Sequence, residues 1–153
     1  MDDFARLRTI ADYQFGAGAG RALFPEEETI AVRRSRTGRP QQVFADDERL
    51  VSYGTDGRFT LGLAGGERLS AALVAPRARV VVGAESDPFV REGKNAFAKF
   101  VREVDPAIRP GDAVCIVGPD DSLYGVGQAK LSAGAMADFE TGVAVETREG
   151  AEK

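Results

Sequence analysis

The sequence predicts an α+β chain, with a small N-terminal α+β domain over residues 1–75 and a small mixed β-barrel over residues 77–149. Three observations predict it. Apolar residues recur at helical spacing at the start of the chain, and then the period drops to two. Turn signals punctuate the rest at strand-sized intervals. Ala75-Pro76-Arg77 interrupts the pattern between two stretches long enough to pack separately.

In the first stretch Phe4, Leu7, Ile10 and Ala11 share one face of an amphipathic helix. The helix is expected to stop before Gly16-Ala17-Gly18-Ala19-Gly20, whose backbone freedom opposes helix. A short second helix is expected from Gly20 to Phe24, ended by Pro25, with Glu26-Glu27-Glu28 as a solvated connection. Thr29–Arg33 reads as a strand, followed by the basic loop Arg34–Pro40 and an antiparallel partner at Gln42–Ala45. Leu50–Tyr53 and Arg58–Leu61 flank Gly54-Thr55-Asp56-Gly57, a hairpin loop. Gly65-Gly66 is expected to break the chain again before the apolar run from Arg68 to Val74.

The second stretch begins with the β-branched strand Arg79–Val82. Ser86-Asp87-Pro88 is a helix start, with a capping side chain ahead of proline, and Gly93 suits the left-handed position just past the helix end. Ala96–Val101 alternates as a strand. Arg109-Pro110-Gly111-Asp112 has the proline and glycine of a type II turn. Strands follow on both sides of Gly118-Pro119-Asp120-Asp121, the second from Leu123 to about Leu131. Ser132 can cap a short helix through Phe139, and Gly142–Thr147 closes a set of five short strands.

Composition removes whole chemistries. The chain has no histidine and one cysteine, Cys115, which excludes an internal disulfide, a Cys/His zinc site and His-dependent nucleophilic catalysis. Cys115 lies in the apolar run Ala113–Val117, where a buried thiol is expected. Asp120-Asp121 and Asp46-Asp47-Glu48 fall in turns, where acidic residues are ordinary. Gly16–Gly20 is spaced G-x-G-x-G and follows a helix, which does not match a dinucleotide fingerprint. No cofactor is expected. The acidic N-terminus and the absence of an apolar run of about eighteen residues predict a cytoplasmic protein with no membrane partner.

The net charge is −4, and neither half is basic: residues 1–75 carry 10 Lys+Arg against 11 Asp+Glu, and residues 76–153 carry 10 against 13. Nucleic-acid binders are ordinarily basic, so any such site must be a local patch. Only four basic residues are Lys, a balance suited to high salt, where phosphate contacts weaken and shape must carry more of the binding.

In order and in wording, the second half resembles a PUA domain. Asp87-Pro88-Phe89-Val90-Arg91-Glu92-Gly93-Lys94 and Phe97-Ala98-Lys99-Phe100-Val101 resemble that family's first helix, glycine turn and second strand. Ile108-Arg109-Pro110-Gly111-Asp112-Ala113-Val114 resembles its P-G-D-x-V turn, Gly125-Val126-Gly127-Gln128-Ala129 its G-x-G/A-x-A strand, and Gly142-Val143-Ala144-Val145 its last strand. Ala11–Gly20 through Leu23-Phe24 resembles the domain preceding PUA in archaeal tRNA-guanine transglycosylases, the enzymes of archaeosine synthesis. The likeness is weak between about residues 30 and 75. A catalytic barrel with its aspartates and zinc ligands has no room here, so the base-exchange activity is not carried over and no enzyme is expected.

The resemblance implies an RNA grip, because PUA domains hold an RNA stem or its single-stranded end between the first helix, the second strand and the last strand. By resemblance Arg91, Gly93, Lys94 and Asn95 are the best contacts, with Lys99 and Arg102 nearby in sequence. A glycine corner also admits close approach of a phosphate, and free amides around it would bind anions. The plainer reading is that Gly93 only stops a helix and the charges are solvated. Arg33, Arg34, Arg36 and Arg39 form the densest basic segment, in which Arg34 and Arg36 suit phosphate contact or simple solvation. Tyr53, Phe59 and Tyr124 could stack bases, although strand aromatics are more ordinarily core. The expectation is a non-catalytic RNA-binding protein, with tRNA as its RNA and a separate tRNA-guanine transglycosylase catalytic subunit as a partner. The alternative is a protein-interaction subunit of an RNA-modification or ribosome-associated complex with no RNA grip of its own.

Overall fold

A computed structural model describes residues 3–152, which form two compact units parting between Leu73 and Val74. In the first unit, α1 (Asp3–Phe15) buries Leu7, Ala11 and Phe15, a stripe at four-residue spacing. The glycine-rich link to α2 (Ala19–Leu23) is held by Asp12, whose carboxylate accepts from the Gly20 N–H at 2.7 Å. Four antiparallel strands follow in sequence order: β1 (Ala31–Arg34), β2 (Pro40–Ala45), β3 (Glu48–Tyr53) and β4 (Phe59–Leu61). Asp46 and Asp47 turn β2 into β3, both at positive φ (49° and 65°), as a tight two-residue hairpin requires. The Gln14 carboxamide serves β4 as a neighbouring strand would. It donates to the Phe59 carbonyl and accepts from the Phe59 N–H, both at 2.8 Å.

Gly65-Gly66 does not break the chain. Both glycines lie inside α3 (Leu63–Ala72) on its buried face. A Cβ on Gly65 would stand 2.0 Å from the Leu50 carbonyl oxygen. The glycine is there so that the helix can lie directly on β3, a packing reason that overrides its poor helix propensity. Arg68 on the same helix makes two bonds to Glu28, at 2.8 and 2.5 Å. Their hydrogen bonding holds the Glu28 carboxyl below its ordinary range.

The second unit is a nearly closed six-stranded mixed sheet in the order β6-β10-β9-β8-β5-β7. Its strands are β5 (Arg79–Val82), β6 (Ala96–Phe97), β7 (Val101–Val104), β8 (Ala113–Val117), β9 (Leu123–Ala129) and β10 (Val143–Gly150), with α4 (Asp87–Arg91) and α5 (Ala133–Asp138) between them. The sheet is antiparallel except for β5 with β8. All five residues of β8 are buried, as expected of a central strand. The expected type II turn forms, with Gly111 at φ 93° and Asp112 N–H donating to the Arg109 carbonyl at 3.1 Å. Ser132 caps α5 by accepting from the Ala135 N–H.

Two expectations fail here. Ala96–Val101 is not one strand but two, split by a turn of 3₁₀ helix over Ala98–Phe100, so the unit has six strands rather than five. Alternation describes which face a side chain takes, not which strand its backbone pairs with. Here β6 pairs with β10 at one edge of the sheet and β7 pairs with β5 at the other, so the chain must change edges, and that step brings the barrel near closure. Ser86 is also not a side-chain cap. It ends a 3₁₀ turn begun at Ala84 and is already in helical conformation, whereas a capping residue needs extended backbone.

The largest fully buried side chain is Arg79. Its guanidinium makes a two-pronged bond to Asp121, at 2.7 and 3.0 Å, and donates to the Arg77 carbonyl at 3.0 Å. Planar matching of this kind is how a buried arginine recovers its lost hydration.

The two helical glycines with opposite surroundings test the packing account. Gly65→Ala is expected to destabilise the protein by roughly 1–3 kcal/mol through overpacking, despite alanine's better helix propensity. Gly134→Ala in α5 has open space for the new methyl and is expected to stabilise it by about 0.5–1 kcal/mol. Urea denaturation of both variants against wild type checks the two signs.

Candidate nucleic-acid interface

The glycine corner ends α4. Gly93 takes φ 93°, Gly93 N–H donates to the Val90 carbonyl at 2.9 Å, and Lys94 N–H donates to the Phe89 carbonyl at 3.0 Å. This is a Schellman pair of bonds, which satisfies the helix's last carbonyls. The expected free amides are therefore absent at these two positions. At these two positions an anion would have to be met by side chains.

Those side chains surround a groove of about 330 Å³ lined by Ser86, Phe89, Val90, Lys94, Asn95, Phe97, Lys99 and Phe100. Phe89 is 52% exposed and Phe97 43%. The β6 segment is inverted relative to size: the small Ala96 and Ala98 face the core while Phe97 faces out. Lys94 Nζ lies 5.6 Å from the Phe89 ring centre and Lys99 Nζ 5.0 Å from that of Phe100, within range of cation–π attraction. Lys94 also stands 3.7 Å from Glu92. Beyond Phe97 and Lys99 a smaller depression is walled by Glu140, Thr141 and Gly142.

The other expected contacts divide. Arg91 is tied into the fold: its Nε donates to Asp87 at 3.0 Å, one terminal nitrogen donates to the Ala151 carbonyl at 2.8 Å, and the guanidinium covers Tyr124. It fixes the corner rather than presenting a free charge. Asn95 accepts from the Thr147 N–H at 3.2 Å. Arg102 is paired with Glu85 at 2.7 Å. In the first unit Arg34 is paired with Asp3 and donates to the Gly38 carbonyl, while Arg36 is exposed at the hairpin tip. Arg33 lies over Phe44, and Arg39 covers Tyr53 and bonds its carbonyl. Phe59 and Tyr124, at 1% and 3% exposure, are core and offer no face to a base. The aromatic faces are instead those of Phe89, Phe97 and Phe100. Sequence reasoning missed them, because alternation in Ala96-Phe97-Ala98 does not say which face is buried and phenylalanine is core by default.

Family models match both halves. Residues 5–76 match the patch-forming domain C2 of tRNA-guanine transglycosylase, and residues 78–151 match the PUA domain. The chain pairs a C2 domain with a PUA domain. It is 47% identical over 148 residues to the tRNA-guanine(15) transglycosylase of Pyrococcus furiosus, an alignment covering 96% of this chain and 25% of the relative. It is 44% identical over 152 residues to that of Methanothermobacter thermautotrophicus, covering 98% of this chain and 23% of the relative. The chain thus spans about a quarter of the length of the curated relatives it matches. The fold of the C2–PUA pair is also found in a hypothetical protein of Pyrococcus horikoshii (TM-score 0.77, 19% identity, 99% of this chain and 91% of that one). A PUA domain protein of Aeropyrum pernix has the same fold (TM-score 0.70, 18% identity, 100% and 85%).

Among the described residues no three His, Cys, Asp or Glu side chains gather as a metal site, and no helix is long and apolar enough to cross a membrane. Cys115 is buried in β8 of the PUA domain, and burial pushes its thiol up to about 12. A raised thiol pKa leaves the neutral form dominant through pH 7–9, and the neutral form is not the nucleophile. Cys115 is expected to resist a disulfide-exchange reagent at pH 8 in the folded protein and to react fully in denaturant. Following thiol release by absorbance checks this.

Proposed function

We propose that this chain binds RNA through the α4–β6 corner of its PUA domain, catalyses no reaction of its own, and takes tRNA as its RNA. The observation that carries the reading is the open groove at that corner, with aromatic walls and Lys94 and Lys99 at its sides. Aromatic faces and adjacent cations are what a nucleic-acid strand needs, since bases stack and phosphates pair. The relatives' name, tRNA-guanine(15) transglycosylase, supports tRNA as the RNA. In this reading the chain presents tRNA to a separate tRNA-guanine transglycosylase catalytic subunit, and Arg36 on the hairpin tip of the C2 domain adds a phosphate contact.

A second reading draws on the same exposed rings. With Phe139 also 51% exposed, the surface would suit an apolar protein partner within an RNA-modification or ribosome-associated complex.

Titration of tRNA into wild type, Lys94→Ala and Gly93→Glu at two salt concentrations separates the readings. Wild type is expected to saturate. Lys94→Ala is expected to weaken binding several-fold and to reduce the salt slope by about 0.7–0.9, the loss of one phosphate contact. Gly93→Glu is expected to weaken it further, because a carboxylate enters the site and the left-handed backbone disfavours any side chain. Circular dichroism confirms that both variants fold. No binding by wild type at moderate salt, with the variants indistinguishable from it, would sink the RNA reading in favour of the protein partner.

A further inference from the structure

The two edges of the C2-domain sheet are treated differently. At one edge the Gln14 carboxamide takes up the outward N–H and C=O of Phe59 in β4, both at 2.8 Å. At the other, β1 has β2 as its one strand neighbour among the described residues. Its residues are exposed except for the half-buried Val32. An open edge is a template for a further strand, and folds ordinarily cover or blunt it.

The groups that β1 presents follow from the ladder. Facing residues in an antiparallel pair alternate between exchanging two hydrogen bonds and exchanging none. Gly54 N–H donates to the Arg58 carbonyl at 2.8 Å. The next pair, Tyr53 with Phe59, therefore exchanges none, and Phe59 is left facing outward, where Gln14 meets it. Across the sheet the same alternation gives bonds to Ser52 with Thr60, Val51 with Val43, and Gln42 with Arg33. Val32 and Val43 then exchange none. The N–H and C=O of Val32 point away from the sheet, and nothing among the described residues bonds them.

Charge selects the occupant. Arg33 shares a sheet face with Gln42, opposite to that of the buried Val43. It lies over Phe44 and 3.3 Å from the Gln42 side-chain oxygen, with no carboxylate partner among the described residues. Arg34 is paired with Asp3, and Arg36 is exposed at the hairpin tip beyond. A second copy of β1, paired antiparallel about Val32, would set Arg33 diagonally against its own counterpart, which is repulsive. Phosphates accept hydrogen bonds but cannot donate to the Val32 carbonyl. We propose that β1 is a docking edge for an extended, acidic segment of a partner polypeptide. The segment adds a fifth strand through the N–H and C=O of Val32, and its carboxylates on the Gln42 face meet Arg33. Docking at β1 and RNA binding at the PUA groove are independent, so either can fail alone.

The probe is a short, end-blocked peptide alternating glutamate and threonine, added to the full chain. Its threonines face Val32 and its glutamates take the Arg33 side. Controls are the same peptide with lysine for glutamate, the same peptide N-methylated at its threonine amides, and a short RNA hairpin. Affinity is read by fluorescence anisotropy, and hydrogen–deuterium exchange at the Val32 amide by NMR. That amide is expected to exchange fast in the free chain and to be protected by the glutamate peptide. N-methylation is expected to weaken binding about tenfold or more, the scale of two lost backbone hydrogen bonds. Arg33→Gln is expected to weaken it about twofold to fivefold, the scale of one exposed ion pair, and the lysine peptide to bind more weakly still. Val32→Pro removes the outward donor at an edge position that tolerates proline. It is expected to lose binding with the fold kept, as circular dichroism checks, and the N-methylated peptide asks the same question without a variant. The docking assignment fails if Val32 is already protected in the free chain, if the N-methylated or lysine peptide binds as well as the glutamate one, or if no peptide binds. Protection of Val32 by the RNA hairpin, or by raising the concentration of the chain alone, overturns it in favour of a nucleic-acid contact or a second copy.

Discussion

The close approach of α4 to the β9–β10 pair determines where everything at the corner lies. A Cβ on Gly150 would sit 2.2 Å from the Arg91 carbonyl oxygen, and one on Gly125 would stand 2.8 Å from the Glu149 carbonyl and 3.2 Å from a Val90 methyl. The helix end therefore rests on bare backbone. Contact this close leaves little freedom to tilt or slide, because protein interiors tolerate neither overlap nor voids. Arg91 then locks the seat from above, bonded to Asp87 within its own helix and to the Ala151 carbonyl beyond β10, with Tyr124 beneath it. Asn95 adds a further tie to β10 through Thr147. Gly93 and Lys94 lie between these anchors, so the groove is walled by rigid elements on both sides.

Much of this was legible in the sequence because it is written in local chemistry. Gly93 after a short apolar helix, Pro110-Gly111, and Ser132 ahead of α5 each act within a few residues, and each does what its type requires. Strand alternation survives in β2 and β4, where one face meets the core, but not in β8, which is buried throughout. What was not legible depends on residues far apart in the chain. Gly65 looks like a breaker until Leu50 is known to lie against it. Ala96–Val101 looks like one strand until its two ends are known to pair at opposite edges of the sheet.

The site shows the same division. The corner itself could be found from Gly93 and its flanking charges, but the wall of the groove could not. Phenylalanine is core by default, and nothing local marks Phe89 or Phe97 as exposed. The amides of the corner illustrate the reverse error. A glycine turn suggests free donors, yet the helix it ends has carbonyls of its own to satisfy, and those take the Gly93 and Lys94 N–H groups first.

The charge arrangement bears on the RNA-binding reading proposed above, since the chain as a whole is acidic. Its arginines are largely spent on structure: Arg8 on the Phe24 carbonyl, Arg39 on Tyr53, Arg68 on Glu28, Arg79 on Asp121 and Arg91 on Asp87. Guanidinium suits this work, since its fixed fork of donors meets carboxylates and carbonyls in defined geometry. At the groove the cations are lysines, compact charges on flexible stems resting on aromatic rings, with Lys94 also 3.7 Å from Glu92. A net charge of −4 repels a polyanion at long range, a repulsion that salt screens. In that proposed reading the binding is carried at close range, by the ring faces and the two lysines of the groove.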